Sequence, residues 1–156
     1  MEKTYFQKLF GRLLREHGFM KQGSRWYRSI GEVLQIADLQ KSNFGQQFYV
    51  NLCWVPTGMT VDGMPIPKEQ NCPIRIRLSA AYPNQEGDIS QGLDLENKLT
   101  DDERERRVAW MTRDLMLPLF ERLQDNRSLR AEIAEGVLRR GAVNAAARSF
   151  LGIAER

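Results

Sequence analysis

The first segment of the chain places apolar residues three and four positions apart, which is the spacing of one face of an α-helix. Gly18 follows at the position where a left-handed residue ends a helix, and Phe19 comes next, where an apolar contact back onto the last turn is expected. The pattern predicts an amphipathic N-terminal helix. Its apolar stripe consists of Phe6, Leu9, Phe10, Leu13 and Leu14.

Beyond this helix, from Phe19 to about Ser79, apolar and polar residues alternate with a period of about two, which is typical of β-strands. Glycine and asparagine separate the segments, so the connections are short and neighbouring strands are expected to be antiparallel. The pattern therefore predicts a β-meander. Its five strands are predicted over residues 19–21, 25–30, 32–41, 46–55 and 73–79.

The fourth and fifth predicted strands alternate without interruption, which is typical of a sheet with one face on the core and the other in water. The core-facing positions are Phe48, Val50, Leu52, Trp54, Ile74, Ile76 and Leu78. The opposite face then carries polar and basic side chains, and we expect it to be open. These side chains are Gln47, Tyr49, Asn51, Arg75 and Arg77.

Two long segments separate or follow these strands. Residues 56–72 form a long connection in which Asp62-Gly63 suggests a small edge hairpin, either packed locally or projecting as a contact loop. Residues 83–92 are rich in polar residues and glycine, which predicts a loop.

Helical signals return toward the C-terminus. Thr100 and Glu103 have the spacing of a capping box, and Pro118 must kink the following helix or start a new one. Further helices are predicted over residues 128–140 and after Asn144. The whole chain of 156 residues is thus expected to form a single α+β domain, with an N-terminal helix, an antiparallel meander of about five strands, and C-terminal helices packed on one face of the sheet.

The net charge of +3 is small, but it is unevenly distributed. Residues 1–30 carry seven Lys or Arg against two acidic residues, whereas residues 84–105 carry eight acidic residues against two basic ones. The N-terminus shows no secretory signal, and no apolar run has the length of a membrane span. Cys53 and Cys72 are therefore expected to be reduced thiols in a cytoplasmic protein.

The sequence contains little that indicates catalysis. One histidine and two cysteines on different segments disfavour a zinc site, and no phosphate-binding, nucleophile-elbow or metalloprotease motif is present. The carboxylates between residues 84 and 105 lie in a polar stretch, where nothing apolar would raise a pKa for general acid catalysis. We expect a protein that is not an enzyme and that uses neither a cofactor nor a metal.

Six strings carry a family resemblance. They read Gly18-Phe19, Arg25-Trp26-Tyr27-Arg28, Leu39-Gln40-Lys41-Ser42-Asn43-Phe44-Gly45, Phe48-Tyr49-Val50-Asn51-Leu52, Cys72-Pro73-Ile74-Arg75-Ile76-Arg77-Leu78 and Leu117-Pro118-Leu119-Phe120-Glu121-Arg122-Leu123. Together they resemble a bacterial family known as domain of unknown function 4304. The resemblance covers residues 5–123 and leaves residues 124–156 as a C-terminal helical extension.

The resemblance implies the same helix–meander–helix layout and implies no reaction. Family members carry a paired-Trp segment after the fifth strand, where this chain has Ala80-Ala81-Tyr82-Pro83. The string Gln40-Lys41-Ser42 is the most specific part of the resemblance. With Asn43 it either borders the open face as a recognition element or simply sets the turn.

Three functions are compatible with these features. The first is a non-catalytic protein-binding module, with toxin neutralisation as a narrower form. The second is single-stranded nucleic-acid binding through Tyr49, Arg75 and Arg77, which the small net charge disfavours. The third is a hydrolase or transferase whose site has no recognisable motif. The sequence indicates no membrane association and leaves the oligomeric state open. The candidate binding residues are Gln40, Lys41, Ser42, Asn43, Gln47, Tyr49, Asn51, Arg75 and Arg77.

Overall fold

A computed structural model describes residues 1–61 and 63–154. Helix α1 spans Lys3–Glu16 and buries its predicted apolar stripe except for Leu13, which is half-buried. Gly18 has a φ of 87°, and the Phe19 N–H donates to the Leu14 carbonyl at 3.0 Å, which closes the helix as predicted. Phe19 itself is buried.

Six antiparallel strands follow one another in chain order across a single sheet. The α+β architecture and the meander are thus confirmed, with one strand more than the five predicted. The strands are β1 Met20–Gln22, β2 Arg25–Ile30, β3 Val33–Lys41, β4 Phe48–Pro56, β5 Ile74–Arg77 and β6 Ala142–Val143.

Strand β6 has only two residues and comes from the C-terminal region, so no local pattern indicates it. It pairs with β5 through Ile74↔Val143 and Arg75↔Ala142. Gly141 precedes it, and a Cβ atom built there would lie 2.4 Å from the Arg75 carbonyl oxygen. A glycine is therefore needed for the chain to approach the edge of β5 this closely.

Within the described residues, six helices follow the strands β1–β5, and the prediction of a loop over residues 83–92 is wrong. A 3₁₀ turn and a helix lie there, because Ile89, Gly92 and Leu93 share one buried face although their neighbours are polar. Across residues 1–61 and 63–154, no helix combines the length and the apolar character that a membrane span requires. The helices are α2 Leu78–Ala81, α3 Glu86–Leu93, α4 Asp101–Trp110, α5 Leu117–Arg122, α6 Asn126–Glu135 and α7 Ala145–Leu151.

The capping box that begins α4 is confirmed. Thr100 Oγ1 accepts from the Glu103 N–H at 3.1 Å, and Glu103 Oε2 accepts from the Thr100 N–H at 2.8 Å. A π-helical segment, Met111–Met116, joins α4 to α5 and places Pro118 in the first turn of α5. The widened turn accommodates the missing proline N–H, and the helical backbone continues without a break from Asp101 to Arg122, so Pro118 does not start a separate helix.

The C-terminal helices extend the main core. The helix predicted over residues 128–140 is divided, with α6 ending before Gly136 and a 3₁₀ turn, Val137–Arg140, following it. Asn144 caps α7 through the Ala147 N–H at 2.8 Å, as predicted. Apolar residues of these elements join the same buried cluster as α1 and the first face of the sheet, namely Leu129, Ile133, Leu138, Ala147 and Leu151.

A buried amide ties the end of α5 to the sheet. The Gln35 side chain on β3 is fully buried, and its Nε2 donates to the carbonyls of Phe120 at 2.6 Å and Leu123 at 3.0 Å. Its Oε1 accepts from Arg28 Nε at 3.0 Å. All the polar atoms of the Gln35 side chain thus have partners, which is what burial of an amide requires.

The second face of the sheet is not fully open, and this part of the sequence prediction is wrong. Residues 57–61 and 63–73, here called the strap, cross one half of the face. Below the strap, Ile36, Cys53 and Val55 are buried from β3 and β4. Three strap residues pack onto this apolar half, namely Met59, Val61 and Ile66.

A disulfide joins the strap to the sheet and corrects the prediction of two reduced thiols. Cys53 lies on β4 and Cys72 at the end of the strap, with their Cα atoms 6.0 Å apart and their sulfurs bonded. The two cysteines meet because β5 pairs with β4 through Arg75 and Cys53, which brings the residues just before β5 above β4. Disulfides are typical of oxidising compartments, so the expected cytoplasmic location loses the support of free thiols.

The edge hairpin predicted in the strap is not found among the described residues. A turn exists, closed by the Met64 N–H and the Val61 carbonyl at 2.7 Å, but no strand pairing occurs over residues 57–61 and 63–73. Asp62, on which the prediction depended, lies outside the described residues.

Substitution of Gly11 tests the packing of α1 on the sheet. A Cβ atom at Gly11 would lie 2.4 Å from Nε1 of Trp26, whose ring is buried and has no room to move. We expect Gly11→Ala to lower the free energy of unfolding by roughly 1–3 kcal/mol in urea titrations, because overpacking outweighs the helix propensity of alanine.

Gly87 in α3 is the matched control, since no atom lies within 4 Å of a Cβ built there. Gly87→Ala should leave stability unchanged or raise it by up to about 1 kcal/mol. Equal effects of the two substitutions would contradict the packing of α1 against Trp26.

Candidate binding face

The uncovered half of the second face carries a row of polar side chains across four strands. The register pairs Arg25 of β2 with Asp38 of β3, Asp38 with Asn51 of β4, and Asn51 with Arg77 of β5. Residues paired directly across strands share a face, so these four side chains lie in line. We call this region the polar half of the face.

Asn51 is the centre of the polar half. It is 3% exposed, and its Nδ2 donates to Gln40 Oε1 at 2.9 Å and to Asp38 Oδ2 at 3.3 Å. Its Oδ1 accepts from Arg77 Nε at 3.3 Å. Both donor hydrogens and the acceptor oxygen of the Asn51 amide thus form hydrogen bonds. These bonds fix the side chains of Gln40, Asp38 and Arg77 relative to one another.

Arg77 lies over an aromatic ring at the edge of this network. Its guanidinium carbon is 4.3 Å from the centre of the Tyr49 ring, and its Nη2 donates to Gln40 Oε1 at 3.3 Å. No carboxylate of residues 1–61 and 63–154 forms an ion pair with it. The result is an exposed, oriented positive charge whose remaining N–H groups are available to a ligand.

Asp38 is the acidic member of the row and is 8% exposed. Burial raises the pKa of its carboxyl above the ordinary value, and the hydrogen bonds from Asn51 and Ser24 oppose that rise. Ser24 Oγ donates to Asp38 Oδ1 at 3.2 Å. Asp38 thus holds Asn51 in place from one side, while Arg77 contacts it from the other.

Arg75 lies on the same face, two pairs further along the strands, opposite Cys53. Its Nη1 donates to Glu69 Oε1 of the strap at 2.9 Å, so its charge is already compensated. Five predicted residues therefore share this face, and four of them, Gln40, Tyr49, Asn51 and Arg77, form one connected network.

The predicted rim at Lys41, Ser42 and Asn43 forms the turn between β3 and β4. Lys41 Nζ donates to the Gly45 carbonyl at 3.2 Å, and Ser42 Oγ accepts from the Phe44 N–H at 3.0 Å. Asn43 is exposed. Lys41 and Ser42 thus make the contacts of turn-setting residues, and the residue that the turn presents to solvent is Phe44, which is 94% exposed.

Gln47 lies beside the polar half, where it lines a small pocket with Tyr49 and Arg77, but it makes no hydrogen bond to their network. Strand β4 begins one residue later, and Gln47 forms an isolated bridge with Asp94 after α3. Its Nε2 donates to the Phe48 carbonyl at 2.9 Å and to the Ser90 carbonyl at 3.4 Å. Its role is to hold the hairpin against the helices.

Sequence reasoning missed three contributors to this surface. Asp38 was identifiable, because it has the same parity on β3 as Gln40, which the family string had already singled out. Phe44 was inside the same string but was not counted as a site residue. Arg140 approaches the face only because β6 pairs with β5, which no local signal predicts.

Comparison with known proteins gives one match. A family model described as Domain of unknown function (DUF4304) matches residues 10–122, which is well over half of the chain. No curated protein and no solved structure shows a significant match to the chain.

The raised pKa of Asp38 predicts a trend in stability with pH. The folded chain keeps the Asp38 proton to higher pH than the unfolded chain, whose aspartate pKa is about 3.9. The stabilisation from protonated Asp38 is therefore full below that value and lost as the pH rises through the folded pKa.

Asp38→Asn removes this titration. We expect the stability of the variant relative to the wild type to increase from about pH 3 to pH 7, measured as the free energy of unfolding in urea at each pH. A difference that is constant over this range, or that falls with pH, would show that burial does not dominate the environment of Asp38.

Proposed function

We propose that this chain, which belongs to the family described as Domain of unknown function (DUF4304), is a non-catalytic protein-binding module. Its contact surface consists of the turn between β3 and β4 together with the polar half of the second face. The observation that carries the proposal is the exposure of Phe44 at the tip of a turn whose backbone is held in place.

Phe44 is 94% exposed although burial of a phenylalanine side chain is worth roughly 1.5–3 kcal/mol. A single exposed apolar residue is ordinary on a protein surface. Here, however, contacts from Lys41 and Ser42 fix the turn around it, so little conformational entropy is lost when a partner closes over the ring. Aromatic residues presented in this way are typical anchors of protein interfaces.

The anchor is continuous with the polar half. Lys41 pairs with Phe48 at the end of the hairpin, and the next pair along the strands is Gln40 with Tyr49. A partner that covers Phe44 therefore lies beside a network of amides and the oriented Arg77. An apolar anchor bordered by hydrogen-bonding groups has the composition of a contact site with a core and a polar rim.

The narrower form of the proposal is that the partner is a toxin that this chain neutralises. It follows from analogy with small partner-binding subunits and predicts that co-expression of the chain rescues growth of cells producing the toxin. Loss of that rescue when Phe44 is replaced would connect it to the surface described here.

Single-stranded nucleic-acid binding is the competing function, and Arg75 and Arg77 favour it. Its stacking residue would be Tyr49. One face of that ring is already occupied by the Arg77 guanidinium, so a base has to displace an interaction within the protein. We therefore place protein binding first.

The role of Phe44 is tested by capture of a partner. Tagged wild-type chain and Phe44→Ser are used to capture proteins from lysate of the native host, and the captured proteins are quantified by mass spectrometry. We expect a partner present in stoichiometric amount with the wild type and reduced at least about tenfold with Phe44→Ser, because truncation of an aromatic anchor costs about 2 kcal/mol or more.

Met20→Ser is the matched control. Met20 is also an exposed apolar residue, 63% accessible, but it lies on the edge strand β1 at the far side of the sheet. Its replacement should leave capture unchanged. Equal loss with both variants, or recovery of nucleic acid in place of a protein, would contradict the proposal.

A further inference from the structure

A groove runs along the end of the sheet where β5 meets β6. Its volume is 370 Å³, and Asn51, Ile76, Arg77 and Arg140 are among the residues that line it. Past Gly141 and Ala142 it continues into a wider depression of 840 Å³ that reaches Arg148. We call the two together the arginine groove.

The arginine groove is strongly basic. Four arginines line it, and among the described lining residues Glu69 is the one carboxylate. Glu69 already pairs with Arg75 at 2.9 Å. Within residues 1–61 and 63–154, neither Arg77 nor Arg140 forms an ion pair with a carboxylate. The groove therefore attracts anionic ligands.

Arg77 is prepared for such a ligand. Stacking on Tyr49 and hydrogen bonds to Asn51 and Gln40 hold its guanidinium in one orientation before any ligand arrives. A guanidinium that is already oriented forms paired hydrogen bonds to a carboxylate with a smaller loss of entropy than a free one. Arg140 lines the same groove and supplies a second cation.

The chemistry of the walls distinguishes carboxylates from nucleic acid. No aromatic ring is found among the described residues that line the arginine groove, so bases have no stacking surface there. The only aromatic ring beside it in the network, Tyr49, is covered by Arg77. The lining instead offers an amide at Asn51 and apolar contact at Ile76 and Ala80, which suit a peptide.

We propose that the arginine groove binds an acidic peptide segment, with one carboxylate held by Arg77 and a neighbouring carboxylate held by Arg140. This inference rests on the proposed function, since the segment is taken to belong to the protein partner. It goes further by stating the chemistry of that segment and the residues that recognise it.

The test uses a fluorescein-labelled octaglutamate peptide, titrated with the oxidised 156-residue chain and followed by fluorescence anisotropy at low ionic strength. We expect Arg140→Glu and Arg77→Glu each to weaken binding at least about tenfold, because each replaces an attractive contact by a repulsive one. Arg77→Lys, which keeps the charge but loses the guanidinium over Tyr49, should weaken binding less than Arg77→Glu. Circular dichroism melting confirms that each variant is folded.

Arg139→Glu is the matched control, since it changes the net charge by the same amount at an exposed neighbouring residue that does not line the groove. It should weaken binding clearly less than Arg140→Glu does when the variants are compared at about 0.15 M salt, where the Debye length is about 8 Å. An equal-length oligothymidylate should bind no more tightly than the peptide.

Three results would overturn the inference. The wild type does not bind the peptide at low ionic strength; or Arg139→Glu weakens binding as much as Arg140→Glu does; or the oligothymidylate binds at least tenfold more tightly and through the same arginines. If a partner is still captured through Phe44 while the peptide fails to bind, the proposed function stands and this inference alone fails.

Discussion

The register of β3 on β4 is the constraint on which the rest of the structure depends. Nine residue pairs join the two strands, from Val33↔Pro56 to Lys41↔Phe48. Both strands are central in the sheet, and residues on both of their faces are buried. Because successive side chains point to opposite faces, a slip of one residue would bring Asn51 into the core and expose Leu52. Few other registers of β3 on β4 would bury the apolar side chains of both faces and also pair the polar ones.

This register divides the second face into an apolar half and the polar half. Toward the Val33 end it brings together Ile36, Cys53 and Val55, which need cover and receive it from the strap and its disulfide. Toward the Lys41 end it brings together Asp38, Asn51 and Gln40, whose side chains are joined by hydrogen bonds, and Tyr49, whose ring contacts Arg77. The second half therefore needs no cover, and it adjoins both the exposed Phe44 and the arginine groove.

Local patterns in the sequence predict the parts of the fold that depend on local chemistry. The spacing of Phe6 and Leu9, the Thr100–Glu103 pair and the alternation of β4 each indicate their element correctly, because each depends on neighbours in the chain. Strand β6 and the Cys53–Cys72 bond depend on which distant segments meet at β5. The spacing of residues along the chain does not indicate these long-range contacts. Helix α3 was missed for a related reason, since three buried positions stabilise it only once the core is in place.

The residues of the candidate site likewise fall into two groups: those that local sequence patterns predict and those that depend on tertiary pairing. Asn51 and Arg77 were identifiable because strand parity assigns them to one face, whereas Gln47 precedes β4, which starts two residues later than predicted, and makes no hydrogen bond to their network. Arg140 enters the surface through tertiary pairing alone. The sequence also does not predict which half of the second face stays uncovered, because this depends on where the strap, which forms no strand, folds back onto the sheet.

The claim that the polar half and the arginine groove form the ligand surface is tested most directly by arginine footprinting. The chain is treated with phenylglyoxal alone and with saturating octaglutamate, and modification of each arginine is followed by mass spectrometry. The account predicts that the peptide slows modification of Arg77 and Arg140 and leaves Arg106 and Arg139 unchanged. Uniform slowing at all arginines, or slowing greatest at Arg106 on the helical side, would contradict it.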